Sequence, residues 1–308
     1  MTRFGLQLWS QHTDWAGFRD AALRADARGW DSIWTWDHLL AIFGPWEQPI
    51  FEGWMVLSAL GPITSNVRLG LMVGANTFRN PGLTAKLATT LDHVSDGRAV
   101  LGIGGAWFER EHDAFGIDFG ATVGERLDRL DEAVMLMRRL LDGERFSHQG
   151  RFYTFTDALC EPRPIQRRLP ILVGGSGPRK TLRTVAMRAD GWNTSGTLEE
   201  VEGRLAILGE HCSDVGRDPA SIEKTISFPV LLRDDRAEAE RVYAEHLAIN
   251  GVDSMGTGPA LRGSPAEVAD AIRPFVALGF ETVICRMSAP YDVETIDRMA
   301  EVRDLLDG

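Results

Sequence analysis

Short runs rich in β-branched and aromatic residues alternate with helical patterns along the whole chain. Eight runs predict strands, at residues 4–9, 31–36, 67–73, 99–103, 170–173, 189–193, 222–232 and 281–287. Strands that alternate with helices favour a parallel sheet, because each crossover helix returns the chain to the same end of the sheet. This alternation is the strongest constraint that the sequence places on the fold.

The number of alternations favours an α/β fold of the (β/α)8 TIM-barrel type. Open doubly wound sheets usually contain about five or six strands, whereas eight strand-helix units occupy about 250 residues. No break in composition marks a second domain, so residues 1–308 are expected to form a single barrel domain. Residues 144–164 predict an extended excursion between strands four and five, with a small hairpin around the segment RFYTF.

Composition argues against several classes of partner. The chain has 33 basic and 44 acidic residues and a formal net charge of −11, which repels nucleic acids and anionic lipid surfaces. No apolar run reaches the roughly 18 to 20 residues that span a bilayer, and the start MTRFGLQLW lacks a signal-peptide pattern, so we expect a cytoplasmic protein. Cys160, Cys212 and Cys285 predict reduced structural thiols, and Glu109 and His112 lack metal-binding order, so no metal is expected.

The ends of the predicted strands carry the candidate site, since barrels of this type bind ligands at their C-terminal rim. Small residues, tryptophans and a few polar groups follow the strands, which favours a pocket for a flat aromatic ligand with a phosphate. Residues 174–177, Gly-Gly-Ser-Gly, end a strand and precede a helix, so their N–H groups are suited to binding phosphate. A tight turn that requires positive φ explains these glycines equally well.

The pair Asp37-His38 directly follows the second predicted strand. An imidazole at a barrel mouth can exchange a proton near neutral pH, although a hydrogen-bonded structural histidine is the commoner case. Trp9, Trp36 and Trp107 each stand at a different strand end. They are candidates for apolar pocket walls and, equally, for core packing.

Several segments, taken in chain order, carry a more specific signal. They are FGLQLW, WDSIWTWDHLL, EGWMVLSAL, VRLGLMVGANTFRNPGLTAKLATTLDHVSDGRAVLGIGGAWFEREHDAFG, ILVGGSGPRKTLRTVAMRADGWN and GSPAEVADAIRPFVALGFETVI. Together they resemble the bacterial luciferase-like monooxygenase superfamily, most of all its coenzyme F420-dependent oxidoreductase branch. The resemblance implies a (β/α)8 barrel that binds the deazaflavin F420 at its C-terminal rim, or flavin mononucleotide (FMN) in sister branches.

The resemblance also assigns roles to residues. It implies that His38 donates or accepts a proton beside the deazaflavin C5, and that Asp37 contacts the deazaflavin. It places a non-prolyl cis peptide at Met72-Val73, behind the ring. The other cofactor-binding residues that it implies are Gly74, Ala75, Asn76, Gly104, Gly105, Ala106, Trp107, Gly174, Gly175, Ser176, Gly177 and Arg179. Arg79, Arg179 and Lys180 are its candidates for binding the acidic tail of F420.

Two departures from the family pattern bear on the substrate. In the sugar-phosphate dehydrogenases of the superfamily, a Trp follows the His by four positions and a Glu takes the place of Trp107. This chain has Ile42 and Trp107 there, which argues against glucose 6-phosphate as substrate. The expected pocket is apolar, with Trp9, Trp36, Ile42 and Trp46 as its walls.

The sequence therefore predicts an F420-dependent oxidoreductase that transfers a hydride between the deazaflavin C5 and an apolar organic small molecule. Reduction of a C=C or C=N bond is the expected direction, with the redox chemistry supplied by the cofactor. An FMN-dependent luciferase-like monooxygenase is the alternative, and a cofactor-binding relative without catalysis is the third hypothesis. Dimers are common in the superfamily, which is the only ground for expecting a homodimer.

Overall fold

The computed structural model describes residues 1–308, and strands alternate with helices from end to end. The strands are β1 Arg3–Leu8, β2 Ser32–Thr35, β3 Arg68–Leu71, β4 Gly74–Ala75, β5 Ala99–Gly104, β6 Phe146–Gln149, β7 Thr154–Ala158, β8 Ile171–Gly174, β9 Gly191–Thr194, β10 Glu223–Leu232, β11 Leu261–Gly263 and β12 Thr282–Met287. The α-helices are α1 Trp15–Ala27, α2 Gly53–Leu60, α3 Pro81–Val94, α4 Glu109–Phe115, α5 Val123–Leu141, α6 Thr181–Arg188, α7 Leu198–Asp214, α8 Arg236–Asn250, α9 Pro265–Ala277 and α10 Val293–Asp307.

Eight parallel strands close into a barrel, which confirms the predicted fold. Neighbours around the barrel are β1, β2, β3, β5, β8, β9, β10 and β12, and β12 pairs with β1. The short β4 pairs with β5, and β11 pairs with β10 at the rim. Between β5 and β8 the chain forms an antiparallel hairpin of β6 and β7. The three-residue β11 was not predicted, because it lies inside a glycine-rich segment that resembles a loop.

Helix boundaries follow local sequence signals. The hydroxyl of Ser264 accepts the Glu267 N–H and the Glu267 carboxylate accepts the Ser264 N–H, so α9 begins with a capping box and with Pro265 at its first position. The amphipathic α5 buries a stripe of Leu130, Val134, Met137 and Leu141. None of the helices combines the length and apolarity that a bilayer-spanning segment needs.

The interior of the barrel is packed with side chains. A small cluster of Trp34, Met72, Val100, Leu172 and Ile284 fills it, separate from the larger core between strands and helices. Glycines make room for this packing: a Cβ on Gly70 would lie 2.6 Å from the Trp34 ring. The three cysteines are buried and unpaired. The barrel is therefore a solid scaffold whose open space lies at the rim.

The N-terminal ends of four strands meet at one half-buried carboxylate. Glu223 of β10 accepts hydrogen bonds from Arg3 of β1 at 3.1 Å, from Arg68 of β3 at 3.1 and 3.2 Å, and from Thr282 of β12 at 3.0 Å. Burial raises the pKa of Glu223, but Arg68 and Arg3 outweigh burial and hold the pKa below its ordinary value. The ionised carboxylate therefore stabilises the closed end of the barrel.

We expect Glu223→Gln to lower the free energy of unfolding by about 2 kcal/mol, measured by urea denaturation near neutral pH. Because the folded pKa lies below the ordinary value of 4.5, this contribution is present above that value and is lost as the pH falls through the folded pKa. The matched control is Glu281→Gln, which removes a 52% exposed partner of the same Arg3. It should cost less than about 0.5 kcal/mol. Equal losses in the two variants would contradict the prediction.

Candidate active site

A cavity of about 730 Å³ opens at the C-terminal end of the barrel. It contains most of the residues that the sequence predicts for the site. Those that line it are Trp9, Trp36, Asp37, His38, Ile42, Met72, Val73, Gly74, Ala75, Gly104, Gly105, Ala106, Trp107, Gly174 and Gly175. The structure thus joins the ends of five barrel strands around one space of a size suited to a cofactor and a small substrate.

Residues 72–75, which we call the bulge, follow β3 and include the short β4, so that the third barrel strand is interrupted at Met72-Val73. The Met72-Val73 peptide bond is cis, as the resemblance implied. Gln7 Nε2 donates to the Met72 carbonyl at 2.9 Å, which ties the bulge to β1. The Val73 side chain lies over two glycines: a Cβ would fall 2.7 Å from it at Gly104 and 2.8 Å at Gly174. Glycine at these positions lets the bulge project into the cavity.

The carboxylate of Asp37 is buried and holds the bulge from the other side. It accepts the Ala75 N–H at 2.8 Å and two hydrogen bonds from Arg79 at 2.7 and 2.9 Å. Arg79 also donates to Glu52 at 2.7 Å. Burial lowers the pKa of Arg79, but the two carboxylates outweigh burial and raise it. Its charge is therefore compensated within the chain, which argues against the predicted role of Arg79 in binding an acidic tail.

His38 is held by a carboxylate that the sequence analysis did not assign to the site. Its Nδ1 lies 2.8 Å from Oε1 of Glu111, and the Leu39 N–H donates to Oε2 at 2.8 Å. Glu111 is buried in α4 and lines the cavity. With Nδ1 turned to Glu111, Nε2 is the ring nitrogen left to exchange a proton with a ligand. The indole of Trp107 packs against the imidazole with ring centroids 5.6 Å apart.

One side of the cavity is apolar. Trp9 stacks on Phe43 with centroids 4.6 Å apart, and Trp36 packs against Trp9 at 4.7 Å. We call these three residues the aromatic wall. Trp46, which was predicted to belong to the substrate pocket, does not line the cavity. The chain turns outward at Gly44, and the Trp46 ring is 40% exposed beneath the Arg110 guanidinium.

Two other residues that were predicted to contact the cofactor have partners within the chain instead. The buried Asn76 donates from Nδ2 to the Tyr153 hydroxyl at 3.2 Å and does not line the cavity. Lys180 donates to Asp128 at 2.5 Å and to the Gly124 carbonyl at 2.9 Å. Partners on other elements orient both side chains, and the spacing of residues in the sequence does not reveal these partners. These contacts argue against the predicted roles of Asn76 at the ring and of Lys180 at an acidic tail.

Residues 174–177, the glycine turn, lead into the N-terminus of α6. Gly174, Gly175 and Thr181 line the cavity, while Ser176 and Gly177 lie on the adjoining rim. The backbone N–H groups of Ser176, Gly177 and Thr181 donate to no group in the chain, and the first turn of α6 contains no acidic residue. Free N–H groups and a helix dipole suit a phosphate. The exposed Arg179 stands on the same rim.

Other residues line the cavity without having been predicted. They are Gln7, Glu111, Leu127, Thr181, Asn193, Ser227 and Arg286. Phe43 beside Ile42, Ser195 after the sixth predicted strand, and residues 254–257 in the glycine-rich loop also line it. Several of these residues lie within the strands and not after their ends, where functional residues were expected. A polar residue in an otherwise apolar strand could have indicated Ser227 and Arg286. The residues of the 254–257 loop carry no such signal.

The fold and the site define a class of protein, a (β/α)8 barrel with a cofactor-sized cavity at its C-terminal rim. Residues 1–282 match the family model of the luciferase-like monooxygenases, and the chain belongs to that family. An F420-dependent glucose-6-phosphate dehydrogenase of Kineococcus radiotolerans is 31% identical over 296 residues, which cover 86% of this chain and 85% of that protein.

Two further proteins are similar to this chain. An uncharacterized protein of Mycobacterium tuberculosis is 33% identical over 167 residues, and that match spans 54% of this chain and 58% of the relative. The solved structure of an F420-dependent secondary alcohol dehydrogenase in complex with an F420-acetone adduct superposes with a TM-score of 0.81 at 22% identity, covering 99% of both chains. This second likeness supports the barrel fold.

We expect Asp37→Asn to lower the free energy of unfolding by about 3 kcal/mol, because it leaves the buried Arg79 beside a neutral amide. Chemical denaturation measures the loss. Glu52→Gln removes the more exposed partner of the same arginine, with 35% of its side chain accessible, and serves as the matched control. Its expected cost is about 1 kcal/mol. A loss for Asp37→Asn no larger than that of the control would contradict a dominant role for the Asp37 carboxylate.

Proposed function

We propose that this chain is an F420-dependent oxidoreductase that transfers a hydride between the deazaflavin C5 and an apolar organic substrate. The observation that carries the proposal is one cavity in which His38, held by Glu111, shares the space with the bulge and the glycine turn. The similarity over 86% of the chain to an enzyme named as F420-dependent supports the choice of cofactor. A bound deazaflavin supplies the hydride chemistry, and the protein binds, orients and shields.

The cofactor ring would lie against Val73 and the backbone of Gly104 and Gly105, which leave flat surface free of side chains. The free N–H groups at the N-terminus of α6 would bind the phosphate. Arg179 is the remaining candidate for the acidic tail, because neither an ion pair nor a hydrogen bond within the chain engages its side chain. The residues present thus fit each part of the cofactor.

His38 would hold or take up the proton that accompanies hydride transfer, at Nε2. Glu111 is a positioning residue, because it fixes which ring nitrogen carries the hydrogen that faces away from the cavity. Trp36 and Trp107 pack edge-on against the imidazole and keep water from it. This arrangement would deliver a proton to one defined place in the cavity.

The substrate proposal rests on the aromatic wall. Ile42 and Trp107 present apolar surface to the cavity at the two positions where the resemblance to sugar-phosphate dehydrogenases would require Trp and Glu. A flat or branched apolar body fits such a wall better than a sugar does. Reduction of a C=C or C=N bond is the reaction that we propose for it.

Titration of the purified protein with F420 and, separately, with FMN tests the cofactor. We expect F420 to bind at least about tenfold more tightly, followed by fluorescence quenching. Arg179→Ala should weaken F420 binding by up to about fivefold and leave FMN binding unchanged, because only F420 has an acidic tail. Arg183→Ala, an exposed arginine of α6, is the matched control. Tight FMN binding with negligible F420 binding, together with substrate-dependent oxygen uptake, would favour the flavin monooxygenase instead.

Variants of the proton-handling pair test catalysis. We expect His38→Ala to lower kcat by about 100-fold or more with the Kd for F420 nearly unchanged. Glu111→Gln should lower kcat by about tenfold with little change in KM, since an amide no longer dictates the tautomer of His38. His93→Ala, an exposed histidine of α3, is the control and should match the wild type. Unchanged turnover in His38→Ala would point to a cofactor-binding protein without a catalytic histidine.

A further inference from the structure

Arg286 is an unpaired cation in the wall of the cavity. It lies in β12 between the buried Cys285 and Met287. Its single hydrogen bond within the chain runs from Nη2 to the Thr257 carbonyl at 2.5 Å, and it forms no ion pair with Asp or Glu. Burial lowers the pKa of Arg286 to about 10, so the guanidinium is still charged at neutral pH. Arg286 is half-buried, and a charge withdrawn from water without a counter-charge is costly.

Other arginines close to the same end of the barrel do have carboxylate partners. Arg79 is paired with Asp37 and Glu52, and Arg233 is paired with Asp292 at 2.6 Å. Acids are also plentiful, since 44 acidic residues face 33 basic ones in the chain. The missing partner of Arg286 is therefore a local property of the cavity wall and does not reflect a shortage of acidic residues.

Arg286 stands close both to the contact between Gln7 and the bulge and to a loop that packs with the aromatic wall. In the β1–β12 pairing it stands opposite Gln7, whose amide contacts the bulge. Adjacent strands lie about 4.8 Å apart, so the cation is one strand away from the bulge contact. On its other side the loop packs closely, since a Cβ on Gly256 would lie 2.4 Å from Nη1. The neighbouring Met255 packs with the aromatic wall.

We infer that Arg286 binds a carboxylate of the substrate, and that the substrates are organic acids whose apolar body packs on the aromatic wall. The inference deepens the proposed function and rests on it. A guanidinium has five N–H donors, of which the chain uses one, and its fork matches the two oxygens of a carboxylate. A single cation beside apolar rings suits a monoanionic acid, whereas a sugar phosphate would place a dianion and several hydroxyls there.

Matched acids and esters test the inference, with trans-cinnamate and methyl trans-cinnamate as the probes. We expect the F420-loaded wild type to bind the acid at least about tenfold more tightly than the ester by titration calorimetry. Arg286→Met should abolish this preference, and Arg286→Lys should retain part of it, because lysine keeps the charge but not the fork. Arg262→Met is the control, since Arg262 in β11 pairs with Glu240 and lies outside the cavity. That variant should keep the full preference.

The F420 affinity of each variant is measured first, which separates the two levels of the proposal. A wild type that fails to bind F420 would contradict the proposed function. Intact F420 binding without any preference for the acid, or a preference that survives in Arg286→Met, would overturn the inference about Arg286 alone. A large loss of F420 affinity in Arg286→Met would assign the cation to the cofactor and also overturn it, as would tighter binding of glucose 6-phosphate than of cinnamate.

Thermal stability distinguishes recognition from a purely structural role. Arg286→Met removes an unpaired, half-buried charge and replaces it with an apolar chain, so its Tm should equal or exceed that of the wild type. A lowered Tm with an unchanged acid preference would mean that Arg286 only anchors the 254–257 loop through Thr257. A maintained Tm with a lost preference supports binding of the carboxylate.

Discussion

The carboxylate of Asp37 holds the rim of the barrel together. It accepts hydrogen bonds from Ala75 in the bulge and from Arg79 ahead of α3, so the end of β2 is bound to two segments far away in sequence. The backbone of the next residue, His38, is fixed by the same contacts, and Glu111 of α4 holds its side chain. Since these carboxylates are buried, loss of one partner leaves the other as an uncompensated group in a place with little water. The position of His38, the proposed proton-handling residue, thus depends on buried carboxylates that would not themselves react.

The cavity divides into surfaces with different physical tasks. The aromatic wall offers apolar surface, and an apolar ligand that displaces water from it binds with a favourable free energy. The glycine turn and the N-terminus of α6 contribute backbone N–H groups, which are fixed in direction and do not titrate. His38 stands where a ligand can reach both kinds of surface. The proposed hydride transfer would need two reactants held close together with water excluded, and these packed walls would provide both.

The periodicity of the sequence was enough for the barrel, because eight separate strand patterns each carry their own local signal and closure follows from their number. The position directly after the second predicted strand pointed to His38, whereas the bulge was implied by the resemblance to the family. Side-chain directions were harder: Arg79 turned to buried acids and Trp46 turned to solvent, and both outcomes depend on partners distant in sequence. Arg286 was missed because its neighbours in β12 read as an ordinary buried strand. Periodicity shows which face is buried, but it does not show whether a buried charge has a partner.

The net negative charge of the chain determines how the unpaired Arg286 could attract an anion. A net charge of −11 opposes the approach of any anion at long range, and salt screens this opposition beyond about 10 Å. Binding of an anionic ligand must therefore be decided by groups in contact with it. Arg79 and Lys180 cannot serve, because neighbouring carboxylates already compensate their charges. Arg286 lacks such a neighbour, so a ligand carboxylate would complete an ion pair that the folded chain leaves half formed, and binding would relieve a cost that the free protein bears.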